Sequence, residues 1–220
     1  MDKEQPATIV VGRRGDTYAG QSRQDRAADR RERILAAALH LFAARAYDDV
    51  TVADVCAGAK VSKRYFYDYF SDREDLLLQL HREENDWLMD GIVAAVPKRP
   101  ESVEEVLRPA MTALVRLLLE NPERGRVIYI NAPHQVRRRR GLMRQDADAL
   151  GRLIRRAIGR PRDKVRFDRL LLALAAGVTE VIIDWLSTGM TGAPDILVDH
   201  LTGFGVAMLG DGRGAGPSLK

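Results

Sequence analysis

The sequence predicts an all-α protein of about nine helices: an N-terminal three-helix unit containing a helix-turn-helix, then a larger C-terminal helical domain. Three observations predict it. Apolar residues recur at helical spacing from Ile34 onward, with no alternating strand pattern after Pro97. Cap and stop residues bracket the apolar runs, as Ser102 and Glu105 do before one and Gly159-Arg160-Pro161 after another. Finally, Thr51 to Phe70, TVADVCAGAKVSKRYFYDYF, reads as two short helices joined by a tight turn.

Composition sets the outer limits. At 220 residues and 45% hydrophobic, the chain can bury a substantial core in one or two domains. A formal net charge of +4 permits nucleic-acid binding without establishing it. No uninterrupted run of eighteen apolar residues occurs, so no membrane span is expected, and Ile9-Val10-Val11 is too short for a signal-peptide core. The single cysteine, Cys56, cannot form an internal disulfide, which makes a reducing, cytoplasmic setting the expectation.

Taken in order, residues 1–28 are polar and lack apolar periodicity, which predicts a flexible basic arm carrying Arg13, Arg14, Arg23 and Arg26. Such an arm either reaches a minor groove or stays a solvated tail. Residues 29–75 form the predicted helix-turn-helix domain. Its first helix, about Arg30 to Arg45, turns Ile34, Leu35, Ala38, Leu41 and Phe42 inward. Thr51-x-x-Asp54 is a capping box for the second, with Val52, Val55, Cys56 and Ala59 on its apolar face. Ser62 caps the third, where Phe66 and Phe70 stand four apart and pack inward. Arg64, Tyr67 and Asp68 must then point outward, flanked by Lys63 and Tyr65. A first helical turn bearing Lys, Arg and Tyr suits the major groove, where such groups reach guanine O6 and N7.

Ser71-x-x-Glu74 predicts a second capping box and a linking helix from about 72 to 96, stopped by Pro97. Residues 76–210 form the predicted C-terminal domain. Its helices run from Ser102 to about Glu120 with a kink at Pro109, from the Asn121-Pro122 start to near Asn131, and from about Pro133 to Ile158. Two more follow, about Asp163 to Thr188 and about Pro194 to Leu209, before a frayed tail, 211–220. Leu170 to Leu186 is apolar nearly all round and needs burial on more than one side. With Ile196, Val198, Leu201, Phe204 and Met208 it offers a hairpin whose surplus apolar surface suits a twofold homodimer.

The block from Arg33 to Leu80 resembles the tetracycline-repressor (TetR) family of bacterial transcription regulators. The Phe-Tyr-x-Tyr-Phe run at Phe66 to Phe70 and the Ser-x-Arg-Glu-x-Leu that follows carry the likeness. Position by position, the resemblance implies base contacts from Lys63, Arg64 and Tyr65, and phosphate contacts from Thr51, Ser62, Tyr67 and Arg73. The two helix starts at Thr51 and Ser62 agree, because hydroxyls and free backbone N–H groups there attract anions. The family usually has glycine where Lys60 and Ala46 stand. In a left-handed turn Lys60 costs about 1 kcal/mol, unless Gly58 absorbs part of the turn; it also offers a further phosphate contact. Asp68 is either a brace for Arg64 or a solvated acid.

The resemblance further implies a C-terminal pocket for a small-molecule effector. Trp87, Met111, Tyr129, Asn131, His134, Phe167, Glu180, Asp184 and Trp185 are the candidate lining, with ordinary core packing as the alternative for each aromatic. Glu180 and Asp184 share one helical face and favour a cationic ligand if that face borders the pocket, and nothing if it meets a partner or solvent. The arginines at 137–140, 144, 152, 155 and 156 read as a solvated face or an anion site. His134 has no second His or Cys at ligand spacing, and no catalytic motif is present, so no metal, cofactor or enzymatic activity is expected. The expected protein is a dimeric, effector-responsive repressor on a pseudo-palindromic double-stranded DNA operator. An effector-independent architectural DNA-binding protein is the alternative, and a helical enzyme using Glu180 and Asp184 the remote one.

Overall fold

The computed structural model describes residues 17–18, 21–130 and 136–210. Among them are nine α-helices: α1 (Arg23–Ala44), α2 (Val52–Ala59), α3 (Lys63–Tyr67), α4 (Arg73–Ala95), α5 (Val103–Glu120), α6 (Pro122–Tyr129), α7 (Val136–Ile158), α8 (Lys164–Ser187) and α9 (Pro194–Leu209). A 3-10 turn, Tyr47–Asp49, joins α1 to α2, and a two-residue antiparallel ladder sets Thr17 opposite Ser22 ahead of α1. The fold is all-α, as the sequence predicts.

Helix α1 starts at Arg23, so residues 23–28 are helical rather than part of an arm. This first stretch is arginine, glutamine, aspartate and alanine, good helix formers on balance that leave no apolar period to detect. It is also tied down: the Tyr69 hydroxyl donates to the Ala27 carbonyl at 2.9 Å, and Asp29 pairs with Arg33 at 3.2 Å.

The caps mostly fall where local chemistry puts them. Thr51 and Asp54 form the predicted capping box, and Ser62 accepts from Tyr65 N–H. Two caps differ. The start of α4 is capped by Asp72, not Ser71: its carboxylate accepts from Asp75 N–H at 2.8 Å, and Asp75 reaches back to Ser71 N–H at 3.0 Å. Asn121 gives α6 no side-chain cap; its amide instead donates to the Leu117 carbonyl of α5 at 3.1 Å. Pro109 lies inside α5 without ending it.

Two apolar clusters organise the helices. The first holds Ile34, Phe42, Val55, Phe66, Phe70 and the early α4 residues Leu76, Leu77 and Leu80. The second gathers Leu88 of α4 with α5, α7, α8 and α9. One helix of about 34 Å thus serves both cores in turn. Helix α6 also spans them, with Val127 in the first and Ile128 in the second.

On α8, Leu171, Leu174, Val178, Ile182 and Trp185 form the buried stripe. Averaged over eighteen residues its mean hydropathy is 1.8, so by length and composition α8 is able to cross a membrane, which the search for an unbroken apolar run overlooked. A third of that window is buried. The outward side of α8 and α9 exposes Val181, Ile196 and Phe204.

Candidate nucleic-acid interface

The turn between α2 and α3 sets the geometry of the exposed surface. Lys60 is left-handed, with φ 54° and ψ 46°, while Gly58 lies within α2 and absorbs none of the turn. Lys60 N–H donates to Ala57 and Val61 N–H to Cys56, the paired bonds of a Schellman ending with the lysine where glycine is preferred. At Ala46, φ is −61° and ψ 152°, an ordinary extended geometry that does not require glycine.

From this turn α3 emerges with Phe66 fully buried and Phe70 behind it, ring centroids 5.6 Å apart. Anchoring those rings turns Lys63, Arg64, Tyr65 and Tyr67 to solvent, the two tyrosines 42% and 56% exposed. Two aromatic rings and two cations therefore stand together on one small exposed face. Tyr67 meets Phe66 edge-on at 5.2 Å. The Arg30 guanidinium of α1 lies over the Tyr65 ring at 4.7 Å, and its Nε is buried without a hydrogen-bond partner among the described residues. Arg30 adds a cation to this face that the pattern of α3 gave no reason to single out.

At the start of α2, the Thr51 hydroxyl is committed to Asp54: it donates to that carboxylate at 2.7 Å and accepts from Asp54 N–H at 3.1 Å. The hydroxyl bond to the carboxylate, the Thr51 backbone N–H that donates to the same carboxylate at 2.9 Å, and the nearby Arg45 charge hold the Asp54 carboxyl below the usual carboxylate range. Ser62 is exposed at the start of α3. Among the side-chain contacts of the described residues there is no Asp68–Arg64 brace; α3 ends at Tyr67, and Asp68 closes it through its backbone N–H to the Arg64 carbonyl. Cys56 is buried, and burial pushes its thiol pKa up.

Arg73 goes elsewhere than to solvent. Its Nη1 donates to the carbonyls of Tyr47, Asp48 and Val50 at 3.1, 3.3 and 2.7 Å, and its guanidinium lies 4.0 Å over the Tyr47 ring.

The candidate effector residues divide. Met111, Phe167 and Trp185 are buried in the second core, and Trp87 and Tyr129 pack against it. Glu180 and Asp184 are exposed on the side of α8 opposite its buried stripe. Asn131 and His134, like Arg137 to Arg140, lie outside the residues whose side chains are described.

Buried polar groups cluster instead between α4, α6 and α7. Glu84, 7% exposed, faces Arg124 at 3.0 Å, and the Arg124 guanidinium covers the Trp87 ring at 4.3 Å. His81 Nε2–H donates to the Ile128 carbonyl at 3.0 Å, and Asn85 donates to Asp146. Burial pushes the Glu84 and Asp146 carboxyls up and the His81 imidazole down, and burial raises the Tyr129 hydroxyl with Asp146 adding to it. A half-open cleft of about 570 Å³ lies nearby between α1, α4 and α7, lined by Arg31, Gln79, His81, Arg82 and Gln145 among others. Among the described residues, none of the seven candidate effector residues Trp87, Met111, Tyr129, Phe167, Glu180, Asp184 and Trp185 is part of its lining.

Residues 34–80 match the sequence profile described as "Bacterial regulatory proteins, tetR family". No curated protein sequence matches significantly. Similar solved structures include the fatty acid degradation regulator FadR from Bacillus halodurans, at 18% identity and a TM-score of 0.69, covering 84% of this chain and 97% of that one. A tetR-family transcriptional regulator from Streptomyces coelicolor gives 19% and 0.67, covering 82% and 80%. FadR from Bacillus subtilis, solved with stearoyl-CoA, gives 18% and 0.65, covering 80% and 98%. At these identities the structural likeness concerns the fold.

Proposed function

We propose that this chain, a tetR-family protein by its residues 34–80, is a DNA-binding transcriptional regulator that represses from a pseudo-palindromic operator as a homodimer. The observation that carries this reading is the exposed row Lys63, Arg64, Tyr65 and Tyr67, held outward by the buried Phe66 and Phe70. Lys63, Arg64 and Tyr65 read base edges in the major groove, and Tyr67, Ser62, Lys60 and the α2 start at Thr51 lie along phosphate. One such head reads few base pairs, so two are joined through the outward side of α8 and α9, where Val181, Ile196 and Phe204 are exposed. Residues up to about 75 act as the reading domain, 76–210 as the dimerising and effector domain, and the protein works on DNA in the cytoplasm. A small-molecule effector bound in the second domain releases the DNA by favouring an α4 orientation with the wrong head spacing.

The test is a gel-shift or footprinting experiment on duplex flanking the gene that encodes the chain. A retarded complex at low salt, sharpened to a protected twofold site, is expected. No retardation of any such duplex would overturn the proposal.

A second reading, DNA binding without an effector, draws on the burial of the candidate lining residues Met111, Phe167 and Trp185 in the second core. A thermal-shift panel of metabolites separates the two: a saturating rise in Tm with one compound class supports the effector, and a flat panel supports its absence.

A further inference from the structure

Arg73 sits at the first position of α4, where the family resemblance implies a phosphate contact, yet its guanidinium is engaged by the α1–α2 connection of the protein itself, with the side chain 27% exposed. Nη1 collects three carbonyls in a row, from Tyr47, Asp48 and Val50. The flat face lies on the Tyr47 ring, and that ring stacks in turn on Phe42, centroids 5.9 Å apart and planes within 22°. Phe42 is fully buried. Nη2 points to the Asp48 carboxylate at 3.6 Å. A planar fork with several donors suits this combination of stacking and carbonyl collection, and an ammonium does not. The three carbonyls belong to the connection that leads into Thr51, the first residue of the α2 cap.

We infer that Arg73 is a positioning residue rather than a DNA ligand: it clamps the α1–α2 connection to the first turn of α4, so that the Thr51 end of the DNA-facing surface moves with α4. The inference rests on the DNA-reading proposal above for its consequence, but the clamp itself is a property of the free protein. The stack Phe42–Tyr47–Arg73 joins the end of α1, the 3-10 turn and the start of α4 in one column. Without the arginine, the carbonyls of Tyr47, Asp48 and Val50 lose their shared donor. Residues 46–51 then sample conformations that misplace Thr51 and the N–H groups behind it.

The experiment uses the full chain and a mixed-sequence duplex, with Arg73→Gln, Arg73→Lys, Tyr47→Leu and Tyr47→Phe. Binding is measured across a salt series, and amide exchange over residues 46–51 is measured on the free protein. The clamp predicts that Arg73→Gln loses about tenfold in affinity at fixed salt. It also predicts that the slope of log K against log salt stays as in wild type and that exchange over 46–51 rises. Arg73→Lys and Tyr47→Leu follow it, and Tyr47→Phe, which keeps the ring, behaves as wild type. A phosphate contact predicts otherwise: a slope smaller by about 0.9 per protomer in Arg73→Gln, near-wild-type binding in Arg73→Lys, and no effect of Tyr47→Leu. Any of those three results overturns the inference. If wild type binds no duplex, the DNA-reading proposal fails, while the exchange measurement still decides on the clamp: unchanged exchange in both Arg73→Gln and Tyr47→Leu refutes it.

Discussion

Lys60→Gly is expected to stabilise the first three-helix unit while weakening nothing in its core. The lysine holds φ 54° and ψ 46° to complete the bond pair from Lys60 to Ala57 and from Val61 to Cys56. A side chain in that region costs about 1–2 kcal/mol relative to glycine. Glycine gives back about 0.4–1 kcal/mol through its freer unfolded chain. Taking the middle of each range leaves a net gain of about 0.8 kcal/mol, or roughly 2–3 °C in Tm for a protein of this size. Both tryptophans, Trp87 and Trp185, pack with the second core, whereas most tyrosines, Tyr47, Tyr65, Tyr67 and Tyr69, belong to the first unit and only Tyr129 among the described ones packs with the second. Urea unfolding followed by tyrosine and by tryptophan signals therefore localises the effect: the tyrosine midpoint shifts up with unchanged m, and the tryptophan midpoint shifts less. An unchanged or lowered tyrosine midpoint would refute the strain reasoning. Because Lys60 is also proposed to lie near phosphate, the same variant should bind DNA with a salt slope smaller by about 0.9 per protomer.

Three further outcomes are expected. Arg64→Gln should relax discrimination at one base pair by about 1–3 kcal/mol, with little change toward mixed-sequence DNA; competition against single-base operator variants reads this, and a uniform loss on all sequences would count against direct readout. Ile196→Asp should convert the dimer to monomer in sedimentation while leaving the helical spectrum intact, since the side chain is 56% exposed on the proposed interface; a variant that stays dimeric places the interface elsewhere. His81 is held neutral by burial, with its folded pKa below the unfolded value of about 6.5. The folded state therefore binds fewer protons, so this contribution is complete above pH ~6.5 and is lost as pH falls through it. His81→Gln, which keeps a donor toward the Ile128 carbonyl, should accordingly narrow its stability deficit relative to wild type between pH 7.5 and about 5.5, and a deficit constant with pH would show that the histidine is not forced neutral.

What could be read from the chain was what is local. The Thr51–Asp54 box, the Ser62 cap and the Phe66–Phe70 pair each depend on residues within four positions, so spacing alone locates them. Helix starts needed a side chain to choose among neighbours, which is why the α4 cap fell on Asp72 rather than Ser71. The first turns of α1 escaped because a helix held by polar propensity and by Tyr69 leaves no apolar period. Arg73 was placed by its sequence position, but its partners lie more than twenty residues away and belong to a different element. For Glu180 and Asp184 the sequence leaves pocket, partner and solvent open, because α8 is apolar enough on several sides that sequence does not say which side faces the core; the structure exposes both. His81 and Glu84 continue the stripe of Leu77 and Leu88, two polar residues where the helical period calls for apolar ones, and both are buried.

The division of α4 between two cores makes it a lever. From Leu88, gripped by the second core, to Arg73 is fifteen residues, about 22 Å of rigid rise. A tilt of about 5° at the gripped end carries Arg73 sideways by roughly 2 Å, and in the proposed dimer two opposed protomers would double that to about 4 Å between the heads. The far end of the lever is also the end whose arginine holds the Tyr47–Val50 carbonyls. The displacement is delivered to the backbone just ahead of Thr51 rather than dissipated in a loose joint.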